Sequence, residues 1–165
     1  MTSFRHLGTA LALAVVAGTA RGQSASIQAT ATVVTPITVT GTAPLAFGNV
    51  FQGVNKTIAF SDATSGRFSL TGYLNSQVAM TFTLPATLAN GASTMPINAY
   101  DVRVNGTNST TGTTTLTVTS GTPVNSNFVT GNLFVFIGGR VQPGVAQAQG
   151  TYTGTIVLAA AYTGL

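Results

Sequence analysis

Three observations predict an all-β protein, folded as an antiparallel sandwich. Short runs recur in which every second residue is apolar. Clusters of Gly, Pro, Asn and Ser separate those runs, as turns between strands would. The chain is rich in Thr, with Val, Ile and Phe in support, while Glu is absent and Lys occurs once. No window after residue 22 carries the apolar stripe of an amphipathic helix.

Taken in order, the first segment is expected to be a cleaved signal peptide, residues 1–22. Arg5 and His6 form a basic start, and Leu7 to Ala20 is an uncharged run of about 14 residues. Such a run suits a signal-peptide core and is too short to span a bilayer. Cleavage after Ala20, Gly22 or Ala25 would each leave small residues at the cut. The mature chain is taken as about Gln23 to Leu165, with no membrane span of its own.

"SIQATATVV" (26–34) is the first alternating run, with Ile27, Ala29, Ala31 and Val33 facing one way. Pro36 forces a break or an edge position, and "ITVT" follows. "PLAFGNV" (44–50) sets Leu45 and Phe47 on one face. "NKTIAF" (55–60), "GRFSLTGY" (66–73) and "QVAMTFTLP" (77–85) read as three more strands, the last with Val78, Met80, Phe82 and Leu84 in clean alternation. "INAYDVRV" (97–104) and "TTTLTVTS" (113–120) flank "NGTNSTTG", a turn signal that makes them a hairpin with a loose tip. "NFVTGNLFVFIGGRV" (127–141) reads as a long strand interrupted at Gly138-Gly139. "QPGVAQAQ" (142–149) is a linker. "GTYTGTIVLAAAYTGL" ends in one long strand, with Tyr152, Gly154, Ile156, Leu158, Ala160 and Tyr162 on its apolar side. Eight to ten such strands without helices indicate an immunoglobulin-like or Greek-key β-sandwich, and the absence of a fixed repeat argues against a propeller or solenoid. A membrane β-barrel would carry aromatic girdles and a charged lumen, and aromatics and charges are both scarce.

Charge narrows the function. The net charge of +4 includes Arg5 and Arg21. The mature part keeps Lys56, Arg67, Arg103 and Arg140 against Asp62 and Asp101, which leaves +2. Four scattered cations cannot build the phosphate-neutralising patch of a nucleic-acid binder. A surface with so few charges is poorly guarded against self-association, which suits a subunit that polymerises. No cysteine is present, so stability comes from packing and hydrogen bonds alone.

The inventory for catalysis is short. The only histidine, His6, leaves with the signal peptide. What remains offers no zinc or transition-metal ligand set and no Ser-His or Cys-His pair, so no metal, cofactor or catalytic residue is expected. Asp62 and Asp101 as an acid–base pair is the bolder reading. The plainer one makes Asp62 a turn cap in "SDATSG" and puts Asp101 on a strand's solvent face. Lys56 reads as a solvated lysine rather than half of a Ser-Lys dyad. No Asp-rich loop suits calcium, and "NKT", "NGT" and "NST" read as turn residues.

The two ends of the domain resemble secreted bacterial pilin-like proteins: archaic chaperone–usher pilins, spore-coat-U-type proteins and their relatives of unknown function. The likeness rests on "ATATVVTPITVTGTAPLAFGNV" (29–50), with Pro44, Leu45, Phe47 and Gly48, and on "VFIGGRVQPGVAQAQGTYTGTIVLAAAY" (135–162). Together they cover about a third of the chain. Many of those pilins carry a disulfide near the start of the domain, and this chain has none, a departure that bears on assembly class more than on fold. The resemblance implies a pilin-like sandwich over residues 35–165 that lacks one strand. A periplasmic chaperone, delivering to an outer-membrane usher, would fill the gap first. The extension of the next identical subunit, residues 23–34, would fill it in a fibre on the bacterial surface. Ile27, Ala29, Ala31 and Val33 would be the donated plugs. Tyr152, Ile156, Leu158 and Tyr162 would line the core beside one lip of the groove, with the strand's edge left free. Two readings of residues 26–34 stand: a donated strand, or the domain's own first strand. The function expected is that of a fimbrial structural subunit. The alternative is a self-complete secreted β-sandwich that binds surface glycan or protein.

Overall fold

The computed structural model describes residues 22–164. The expected signal peptide lies outside the described residues, Gly22 excepted. The chain divides after Thr32. Residues 22–32 carry no regular secondary structure and are exposed.

From Val33 onward the described residues form ten strands and no helix: β1 (Thr38–Ala43), β2 (Lys56–Ile58), β3 (Gly66–Thr71), β4 (Gln77–Thr83), β5 (Thr87–Asn90), β6 (Ser93–Asn105), β7 (Thr114–Leu116), β8 (Pro123–Asn127), β9 (Asn132–Val141) and β10 (Val157–Gly164). All pairings are antiparallel. The larger sheet runs β1-β3-β9-β6-β5, with β2 continuing the line of β3 along β9 and β7 that of β5 along β6. The smaller sheet runs β10-β4-β8.

The two sheets share one apolar core. Val78, Met80, Phe82 and Leu158 of the small sheet meet Leu70, Val102, Val104, Leu133, Val135 and Ile137 of the large one, and Phe128 fills the end. Alternation in β4 and β9 produces this, because each strand turns every second side chain inward. Phe136 has the opposite parity and is buried all the same. It lies beneath the Arg67 guanidinium, 5.5 Å from the ring centre.

Two local devices keep the large sheet in register. At Ala99 and Tyr100 the pairing of β6 with β9 gains a residue, from Asn98 opposite Arg140 to Asp101 opposite Gly138. The bulge puts Ala99 at φ 49° and returns Val102 and Val104 to the same inner face as Met95 and Ile97. The pair Gly138-Gly139 is the second device. It is not an interruption, since β9 runs through it without a break. A Cβ on Gly138 would lie 2.6 Å from the Ile58 carbonyl oxygen and 2.7 Å from the Phe60 nitrogen. Glycine is what lets the chain pass from β2 into the β2–β3 turn this close to β9.

Other sequence expectations shift as well. Residues 26–34 form no strand, so neither sheet takes its first strand from them. Residues 44–50 alternate as expected and yet lie outside both sheets. The last strand begins at Val157, not at Thr151. Strands β5 and β8 were hidden by their composition. β5 opens a hairpin whose turn is Gly91-Ala92, between the opposed Asn90 and Ser93. The expected hairpin at "NGTNSTTG" forms, with Val104 opposite Thr114. Its tip is tied down, because Asn105 Nδ2 donates to the carbonyls of Ser109 and Thr111.

Candidate functional site

A second, smaller apolar cluster sits beyond the main core. Met95 and Ile97 of β6 and Val141 of β9 form it, with Leu45, Phe47, Val50, Leu88, Tyr100 and Tyr152 packed against them. None of these residues belongs to the small sheet. Two irregular segments supply the packing from outside both sheets: residues 44–50, which follow β1, and residues 151–156, which precede β10 and touch β5 through an isolated bridge between Thr153 and Ala89.

Between those segments opens an apolar-floored cleft of about 1070 Å3. Met95, Ile97, Ile137 and Val141 line it from the large sheet, and Leu45, Phe47, Leu88 and Ile156 from the sides. Both lips are nearly free of partners. On one, the Ala46 amide donates to Thr64 O at 2.9 Å and Lys56 Nζ donates to Asn49 O at 3.0 Å. Among the described residues Leu45, Phe47, Gly48 and Val50 make no backbone hydrogen bond. On the other lip Thr153 and Ala89 exchange bonds of 2.9 and 2.8 Å, while Gly154, Thr155 and Ile156 make none. Gly48 at φ 59° turns the first lip, so it is not extended throughout, but unused donors and acceptors beside apolar surface are what an incoming strand needs.

The lips are held in place from behind. The Tyr100 hydroxyl donates to Pro85 O at 2.7 Å, and burial pushes its pKa up to about 12. Tyr152 Oη accepts from Gln147 Nε2 at 2.6 Å and donates to Ala148 O at 2.8 Å. Gln147 Nε2 also donates to Thr94 O. The segment read as a linker is thereby fastened to the start of β6.

The residues singled out in the sequence fall in three places. Tyr152 and Ile156 line the cleft. Leu158 and Tyr162 do not: Leu158 is buried in the main core, and Tyr162 packs against it. The Tyr162 ring meets Phe128 edge-on at 6.3 Å. Its hydroxyl accepts from the Tyr73 amide and donates to Thr35 O, each at 2.6 Å. Ile27 and Val33 are 96% and 94% exposed, and Ala29 and Ala31 are exposed too. Sequence reasoning missed Met95 and Val141. The alternation of Met95 with Ile97 was the available signal, obscured by Pro96 between them.

The two carboxylates have local duties. Asp62 Oδ2 accepts from the Ala59 amide at 2.8 Å, which makes it a turn cap. Asp101, partly exposed on β6, pairs with Arg103 Nε at 3.0 Å. The Arg103 guanidinium lies 4.3 Å from the centre of the Phe60 ring. Among the described residues no cluster of three or more metal-ligating side chains occurs, and no helix is long and apolar enough to cross a membrane. A scan against protein-family models finds no match, and a search of curated proteins finds none either.

Proposed function

We propose that the protein is a structural subunit of an extracellular, pilus-like filament, with a pilin-like (immunoglobulin-like) sandwich completed by a strand from another copy. One observation carries this reading: an apolar cleft flanked on both sides by backbone outside either sheet, most of which makes no main-chain hydrogen bond. The occupant is residues 23–34 of a neighbouring subunit, whose Ile27, Ala29, Ala31 and Val33 alternate and are exposed. The mode is β-augmentation, in which main-chain bonds hold the strand and alternate side chains fill pockets. A lip of six residues, 151–156, spans roughly 20 Å at ~3.3 Å per residue. That length engages about three inward side chains, so part of the donated segment stays outside as a tether. Before assembly a periplasmic chaperone would cover the cleft and pass the subunit to an outer-membrane usher. The filament would stand on the surface of a bacterial cell.

The test compares the mature chain with a form lacking residues 23–34, by size-exclusion chromatography and negative-stain microscopy. Fibres from the mature chain and a truncated monomer that takes up the peptide "SASIQATATVV" are expected. A stable truncated monomer that ignores the peptide, beside a mature chain that never forms fibres, overturns the reading. That result would leave a self-complete binding module.

A further inference from the structure

Exposed apolar side chains gather at the two opposite ends of the large sheet. At the end where β9 begins, the β3–β4 and β8–β9 loops present Leu74, 54% exposed, and Val129, 65% exposed. Past the end of β9, the segments before β2 and after β9 present Phe51 and Val145, 74% and 87% exposed. The two ends are separated by the ten residues of β9, roughly 33 Å of strand.

Neither patch is a loose flap. At the first end the Gly72 amide donates to Gly131 O, Asn75 N to Phe128 O and Phe128 N to Ser76 O. At the second, the Gly53 amide donates to Gly144 O and Gln52 Nε2 to Gln147 O. Charge is sparse at both: residues 72–76, 128–131, 48–54 and 142–150 contain no Asp, Glu, Lys or Arg, although the Lys56 ammonium reaches the second end and donates to Asn49 O at 3.0 Å. Arg67, Arg103, Arg140 and Asp101 sit instead on strands of the large sheet, between the ends.

We infer that the two ends are complementary faces of one head-to-tail contact, so that the Leu74/Val129 end of one copy seats on the Phe51/Val145 end of the next. This rests on the filament reading above. Its direction follows from where the chain leaves the sandwich. Thr35 is held by the Tyr162 hydroxyl, which also binds the Tyr73 amide beside Leu74, so the extension departs at the first end. The cleft includes Val50 and Phe51 and so reaches the second end. A copy that receives its neighbour's extension therefore meets that neighbour's first end with its own second end. The face that meets Phe51 and Val145 must be apolar and bring no second cation towards Lys56, and the first end, whose residues 72–76 and 128–131 contain no charged side chain, supplies one. Faces that differ on each copy repeat without closing, which generates a fibre and not a dimer.

The chain has no cysteine, which makes crosslinking clean. The mature chain carrying Leu74→Cys with Val145→Cys is assembled, treated with a short bis-maleimide and run on a denaturing gel. Val129→Cys with Phe51→Cys serves as a second pair, and each single variant as a control. The expected result is a covalent ladder of three or more subunits from at least one double variant, and monomers from the singles. Fibres visible by negative stain without a ladder from either pair overturn the contact and leave strand donation standing. Dimers from a single variant overturn it by showing that like ends meet. Absence of fibres from the unsubstituted mature chain, with no uptake of the free peptide, removes strand donation and the contact together.

Discussion

The two halves of the large sheet are covered differently. Around Val135 and Ile137, the inner face of β9 is covered by β4 and β10, which are paired with each other in the small sheet. Around Val141, the same strand faces Leu45, Phe47 and Tyr152 from segments that belong to no sheet. The apolar pattern is continuous along β9, while the hydrogen-bonded roof is not. Burial and ladder pairing are thus separable: side chains reach across the open half, but its backbone edges stay unsatisfied.

That contrast can be tested by substitution. Phe82→Ala in the closed half removes a fully buried ring and should lower the urea-unfolding free energy by about 3–5 kcal/mol. Phe47→Ala at the cleft removes a half-buried ring and should cost about 1 kcal/mol or less in the lone subunit. It should also weaken binding of the "SASIQATATVV" peptide by about tenfold, equivalent to ~1.4 kcal/mol. Equal losses of stability at the two sites would erase the distinction between the halves.

Gly138→Ala lies at the seam between them. Its Cβ would meet backbone at 2.6 Å, so β2 must withdraw from β9 at a cost of about 3 kcal/mol, read as a lowered urea midpoint. Tyr100→Phe loses the bond to Pro85 O and should destabilise by about 1 kcal/mol. The same tyrosine gives a pH signature. Its folded-state pKa, about 12, lies above the ordinary 10.0. Its contribution is therefore fully present below pH 10 and is lost as pH rises from 10 through 12. Unfolding followed across that range should show a downward slope that Tyr100→Phe reduces. The smallest effect is expected at Arg103→Met, where a half-exposed ion pair and a ring contact together amount to under about 1 kcal/mol by thermal melting.

Much of this contrast was legible in the residues. The alternation in β4, β9 and β10 marked the closed core, and the scarcity of ionisable groups narrowed the chemistry. What the sequence misreported was pairing. Residues 44–50 and 151–156 alternate as strands do because one side faces apolar floor, and periodicity records that sidedness whether or not a ladder partner exists. β5 and β8 went unseen for the opposite reason. They are paired but half-exposed, so Asn90, Asn125, Ser126 and Asn127 were free to be polar. Gly138 looked like a break because a missing side chain reads the same in a turn as in a close approach of two backbones.

The most direct test of the open half is amide hydrogen exchange on the chain lacking residues 23–34, with and without the "SASIQATATVV" peptide. Strand donation predicts that the amides of Phe47, Gly48, Thr155 and Ile156 exchange freely alone and become protected when the peptide is added, while those of β4 and β9 are protected throughout. Peptide-induced protection elsewhere, or lip amides already protected in the lone domain, would contradict it.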